Sequence, residues 1–133
     1  MKHPFIYIVD DDAEDIELLV NAIYDFDINI CCSFSQSGEE ALQVITNLES
    51  YPDIIILDLN MPKLDGKGFL KTIKGNTSLC HIPIVIYSTS NSKEDMNETM
   101  VLGAVSYTVK PSTYNGISQF VQSIMTSYLA STP

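Results

Sequence analysis

Five short apolar runs punctuate the chain at similar intervals: FIYIV (5–9), INICCSF (28–34), DIIIL (53–57), IPIVIY (82–87) and AVSYTV (104–109). Between them, apolar residues recur at helical spacing. Ile16, Leu19, Val20 and Ile23 follow the first run, and Ala41, Leu42, Ile45 and Leu48 the second. Phe69, Leu70 and Ile73 follow the third, with Gly75 placed to end that helix. KEDMNETMVLG, after the fourth run, is a weaker acidic helix, and Ile117, Phe120, Val121, Ile124 and Tyr128 form a terminal stripe. Apolar strands alternating with amphipathic helices imply a parallel sheet covered on both faces. Right-handed crossovers leave few windings, and the leading one is a doubly wound, flavodoxin-like (βα)5 sheet of order 2-1-3-4-5.

Those five units use nearly all of the 133 residues, so a single domain over 1–133 without an output domain is expected. A net charge of −10 argues against nucleic-acid and anionic-membrane partners, both of which favour basic patches. No apolar run approaches a membrane span, and MKHPF has no signal-peptide core. His3 and His81 offer no zinc spacing. Cys31 and Cys32, adjacent on a strand, read as buried thiols rather than a redox pair. A reduced, cytoplasmic protein is expected.

In a doubly wound sheet, ligands bind beyond the carboxyl ends of the strands. The first run here ends in Asp10-Asp11-Asp12, the third in Asp58, the fourth in Ser88-Thr89 and the fifth in Lys110-Pro111. Polar or charged residues are thus delivered to one edge. Asp12, Glu14 and Asp15 also fit a helix start, Asp12 as its cap and the others as charges favoured at that end. Asp65, beside Gly66, reads as a turn residue.

Two like charges about 4 Å apart cost on the order of 1 kcal/mol in water and several times that at an effective dielectric near 20. Asp10, Asp11 and Asp58 together therefore call for a cation. Magnesium, with oxygen ligands and retained waters, suits such a set; calcium would want more ligands and a dedicated loop. Three carboxylates, one dication and Lys110 sum to zero charge. Phosphorylation of Asp58 would add negative charge, which hydroxyls at Ser88 or Thr89 could meet.

Taken in order, VDDD, IIILDLNMPKLDG, YST and GAVSYTVKP resemble a response-regulator receiver domain of the single-domain, chemotaxis type, over essentially the whole chain. The resemblance implies that Asp58 takes a phosphoryl group from a histidine kinase's phosphohistidine. It makes Asp11 a direct magnesium ligand, Asp10 a ligand through water, and the Asn60 backbone carbonyl a further ligand, with manganese as the alternative ion. Between two hydroxyls that strand alternation sends to opposite sides, the resemblance selects Ser88 over Thr89 to bond the phosphoryl group. It assigns Lys110 to pair with that group and Tyr107 to turn inward with the hydroxyl, and it implies a cis Lys110–Pro111 bond. Phosphoryl transfer is mostly positioning and positive charge, and the nucleophile, a carboxylate, needs no general base at neutral pH.

The expected activity is a switch, a phosphoryl acceptor rather than an enzyme acting on external substrates, whose fourth-helix, fifth-strand and fifth-helix face changes partner preference. Expected partners are a sensor histidine kinase or phosphotransfer protein, a downstream protein, and a dimer mate on that face. Three other readings compete. A haloacid-dehalogenase-type phosphohydrolase would carry D-x-D on the first strand, whereas the nucleophile here lies on the third, in DLN without the second acid. A receiver-like interaction domain that is never phosphorylated would not need every matched position filled. A flavodoxin-type flavin carrier fits poorly, because three aspartates would repel its phosphate.

Overall fold

The computed structural model describes residues 3–129. Its strands are β1 (Phe5–Val9), β2 (Cys31–Ser35), β3 (Ile54–Leu57), β4 (Ile84–Ser88) and β5 (Ser106–Val109). All pairings are parallel, and the order is β2-β1-β3-β4-β5, as expected. The helices are α1 (Ala13–Phe26), α2 (Gly38–Thr46), α3 (Gly66–Lys74), α4 (Lys93–Val101) and α5 (Tyr114–Ile124); α5 runs on into a π-helical turn, Met125–Leu129.

Period-two alternation divides the core into two layers. Ile6, Ile8, Ile54, Ile56, Val85 and Tyr87 pack under α1 and α5, while Tyr7, Val9, Ile55, Leu57, Ile84 and Ile86 pack against α2 and α3. Both layers use the anticipated helical stripes: Ile16, Leu19 and Ile23 of α1, Ala41 and Ile45 of α2, Phe69, Leu70 and Ile73 of α3. In α4 only Thr99 is fully buried, in keeping with its weak stripe.

Register sets where the polar residues emerge. Val9 stands opposite Leu57, and Leu57 opposite Ile86. The residues that follow, Asp10 and Asp58, therefore leave the sheet side by side. Ser88 pairs with Val109, and the Lys110 N–H donates to the Ser88 carbonyl at 2.8 Å. A one-residue slip in any of these pairings would turn every side chain of that strand to the other face. Each helix then starts at this same edge under a side-chain cap: Asp12, Ser37, Asp65, Ser92 and Thr113 each accept a hydrogen bond from a first-turn N–H.

The second strand departs from expectation. β2 begins at Cys31 because Asp27 closes a turn, accepting the Asn29 N–H on its side chain and the Ile30 N–H on its carbonyl. In the second run, where Ile28, Ile30, Cys32 and Phe34 fall at every other position, Ile30 is buried and Cys32 partly buried, but Ile28 and Phe34 are exposed. Cys31, expected to be buried, is exposed as well. β2 lies at the sheet's edge, where neither face is fully roofed. Gly75 ends α3 in a right-handed conformation, with its N–H donating to the Lys71 carbonyl.

Candidate functional site

Asp10 and Asp58 are buried at the ends of β1 and β3, and Asp11 beside them is exposed. One carboxylate oxygen from each lies within 4.8 Å of the others. Asp10 Oδ1 accepts the Asp12 N–H at 2.9 Å, which locks that carboxylate while Asp12 turns its own side chain to cap α1. The three oxygens are hard ligands converging on one point, the donor set a small divalent cation takes while keeping waters at its remaining positions.

Lys110, at the end of β5, reaches into the cluster. Its Nζ lies 2.8 Å from Asp10 Oδ2, 2.8 Å from Asp15 Oδ2 and 4.0 Å from Asp58 Oδ2, and 5.9 Å from the centre of the Tyr87 ring. Burial pushes the Asp10 carboxyl up to about 6, against the opposing bonds from Lys110 and the Asp12 N–H and with the Asp58 charge adding to the rise. Asp58 is raised too, chiefly by burial, with Lys110 and the backbone N–H groups of Asn60 and Leu59 opposing and Asp11 reinforcing. Burial pulls Lys110 down, but its hydrogen bonds to Asp10 and Asp15 and the nearby charges of Asp10 and Asp58 outweigh that and hold the ammonium above its ordinary value. The pocket carries excess negative charge that a dication would relieve.

The loop after β3 folds back on the site. The Gly66 N–H donates to the Leu59 carbonyl at 3.0 Å, and a Cβ at Gly66 would stand 2.4 Å from the Asp58 carbonyl oxygen and 2.6 Å from Leu59 Cα. Only glycine permits that approach. Asp65 caps α3, accepting the Gly68 N–H at 2.9 Å, and Asn60 is exposed within the loop.

Ser88 is fully buried at the end of β4, where its Oγ accepts the Ser90 N–H at 3.2 Å; Thr89 faces solvent. Burial therefore separates two hydroxyls that alternation alone left equal. Tyr107 is half-buried and donates its hydroxyl to the Ser90 carbonyl at 2.8 Å. The Lys110–Pro111 bond is trans, not the cis form implied by the resemblance. Trans is the ordinary preference even before proline, and Lys110 already reaches its carboxylates with the bond in that form.

Two features escaped the sequence reading. Asp15, assigned only to charge the start of α1, is a direct partner of Lys110. Its signal was available: helical side chains lean toward the helix N-terminus, so an acid in the first turn looks back over the sheet edge. The second is a chain of polar contacts in which the Ser90 hydroxyl donates to Asp95 at 2.6 Å, and Asp95 and Glu98 hold Lys67 at 2.7 and 2.8 Å. Nothing in the local sequence marks Lys67 as a link between α3 and α4.

The family model described as "Response regulator receiver domain" matches residues 6–122. Among relatives, Response regulator Rcp1 of Synechocystis sp. is 29% identical over 129 residues, covering 93% of this chain and 88% of Rcp1. The probable methanogenesis regulatory protein FilR2 of Methanothrix harundinacea is 29% identical, covering 96% and 86%. A protein-glutamate methylesterase/protein-glutamine glutaminase of Anaeromyxobacter dehalogenans is also 29% identical, but the chain spans only 29% of its length. The phosphorylated cyanobacterial phytochrome response regulator RcpA superposes with a TM-score of 0.91 at 30% identity, covering 99% of this chain and 98% of RcpA. The manganese-bound form of Rcp1 superposes at 0.86 and 27% identity, covering 98% and 97%. With the winding, the acidic cluster and the family match in agreement, the chain belongs to the response regulator receiver domains, the phospho-accepting switches of two-component signalling.

Proposed function

We propose that Asp58 is the acceptor of a phosphoryl group delivered from the phosphohistidine of a sensor histidine kinase or phosphotransfer protein, with magnesium as the working ion. The observation that carries this reading is the convergence of Asp10, Asp11 and Asp58 within 4.8 Å, with the largely buried Lys110 side chain placing its ammonium 4.0 Å from Asp58. A carboxylate oxygen of Asp58 attacks phosphorus as the bond to the donor imidazole nitrogen breaks, giving an acyl phosphate; the imidazole keeps the electron pair and is protonated by solvent. Asp10, Asp11 and Asp58 would hold the dication, with the Asn60 carbonyl as a further ligand. When bound, that ion offsets the charge of the phosphoryl oxygens. Lys110 supplies the fixed positive charge of the chain itself. That RcpA is found phosphorylated and Rcp1 manganese-bound supports the same chemistry for this chain.

Output follows from Ser88. Its buried hydroxyl draws toward the phosphoryl group, and Tyr107 and the face built from α4, β5 and α5 follow. Exposed Met100, Val101, Val105 and Val109 lie on or beside α4 and β5 and offer apolar contact to a downstream protein or a second copy of the chain. A phosphohydrolase reading lacks support, since Asn60 stands where a second acid would follow the nucleophile.

Incubation with acetyl phosphate and magnesium, followed by intact mass and peptide mapping, tests the reading. One phosphoryl gain on Asp58 is expected, absent in Asp58→Asn and abolished by chelation. Label on another residue, or none in the wild type, would remove it.

A further inference from the structure

Lys110 has two carboxylates at hydrogen-bond distance, and neither is Asp58. The two differ in kind. The Asp10 side chain is 3% exposed, and its other oxygen is pinned by the Asp12 N–H. The Asp15 side chain is 32% exposed and borders a cavity of about 250 Å³ beside Pro111 and Tyr114. If the ammonium left Asp10, a buried charge would be stranded. If it left Asp15, water would replace it at little cost.

We propose that Asp15 is a positioning residue that holds the Lys110 ammonium back from Asp58 in the unphosphorylated protein and thereby weakens retention of the phosphoryl group. The inference rests on Asp58 being the acceptor. Two effects act in the same direction. First, an ammonium has three N–H donors, and Asp15 occupies one that a phosphoryl oxygen would otherwise take. Second, Asp15 is a fourth carboxylate beside Asp10, Asp11 and Asp58, so one ammonium and one dication leave a negative charge over before any phosphoryl group arrives. That excess opposes further negative charge. The gap from Nζ to Asp58, 4.0 Å, is short enough that a small swing of the side chain transfers the ammonium from Asp15 to the new group.

Beryllofluoride, which adds to an aspartate as a tetrahedral phosphoryl stand-in, gives the test when titrated with magnesium present and followed by amide chemical shifts. Asp15→Asn keeps the shape and removes the charge, and its beryllofluoride affinity should rise about two- to fivefold, the scale of one partly exposed ion pair. Asp15→Glu should restore wild-type affinity. In a Lys110→Met background the Asp15→Asn gain should fall to less than about half, because only the direct charge effect of Asp15 remains once the ammonium is gone. A merely structural role would move stability but not this coupling. Unchanged or weaker affinity in Asp15→Asn, or a gain that persists in full with Lys110→Met, overturns the proposal while leaving the acceptor role of Asp58 intact. No uptake by the wild type removes the acceptor reading, and the proposal with it.

Discussion

The Tyr107 hydroxyl donates to the backbone carbonyl of Ser90 at 2.8 Å, tying β5 to the loop that leaves β4. Ser90 is also bound through its N–H to the Ser88 hydroxyl and through its own hydroxyl to Asp95, which holds Lys67 at the start of α3. One loop residue thus connects the buried hydroxyl at the acidic site to three secondary-structure elements. A displacement of Ser88 has a physical route to α4 and β5 through packed polar contacts.

Tyr107→Phe should lower stability by about 0.5–1.5 kcal/mol, the usual net worth of one such hydrogen bond. Urea denaturation measures this as a lower midpoint at unchanged slope. Amide exchange at Ser90 and Ser92 should quicken at the same time, since the loop loses its anchor to β5.

Asp10 predicts a stability that depends on pH and metal. Its folded value near 6 lies above the ordinary 3.8, so the folded state binds the proton more tightly than the unfolded one. Without metal, this group's contribution is fully present below about pH 4 and is lost as pH rises through 6, a fall of roughly 2–3 kcal/mol. Asp58, also raised, acts in the same sense. Asp95, lowered chiefly by Lys67, has the opposite slope, but its window lies below about pH 4. Magnesium competes with the Asp10 proton, so the rise in Tm on adding it should be larger at pH 7 than at pH 5. Equal rises at both values would contradict the assignment.

Lys110→Met leaves Asp10 and Asp58 buried without their cation. At pH 7 and without metal the cost should be about 3 kcal/mol, in the range seen when one partner of a buried pair is removed. Protonation of Asp10 relieves the strain, so chemical denaturation at pH 5 should show a smaller loss.

Gly66→Ala forces a methyl group against the Asp58 carbonyl oxygen and Leu59 Cα, both backbone atoms that cannot swing aside. A loss of about 1–3 kcal/mol is expected from the displaced loop. Magnesium affinity should fall as well, because the displaced backbone carries Asp58. Titration followed by amide shifts would report both the affinity and the altered loop.

The winding of this chain was legible along its sequence because burial of apolar surface is recorded locally, as period two in strands and three-to-four spacing in helices. The meeting of Asp10, Asp11, Asp58 and Lys110 was legible for a related reason: in a parallel sheet every strand delivers its next residue to one edge. Packing decided the rest. Asp15 and Lys110 are 95 residues apart, and their contact depends on how the first turn of α1 overhangs the end of β5. Ser88 and Thr89 look alike until the neighbouring elements bury one and leave the other in water. Cys31 and Phe34 lie exposed because β2 ends the sheet, a matter of strand order rather than of their own chemistry. Periodicity is a property of neighbours in the chain, whereas the choice of ion-pair partner depends on distances of a few ångströms between elements placed by the whole core.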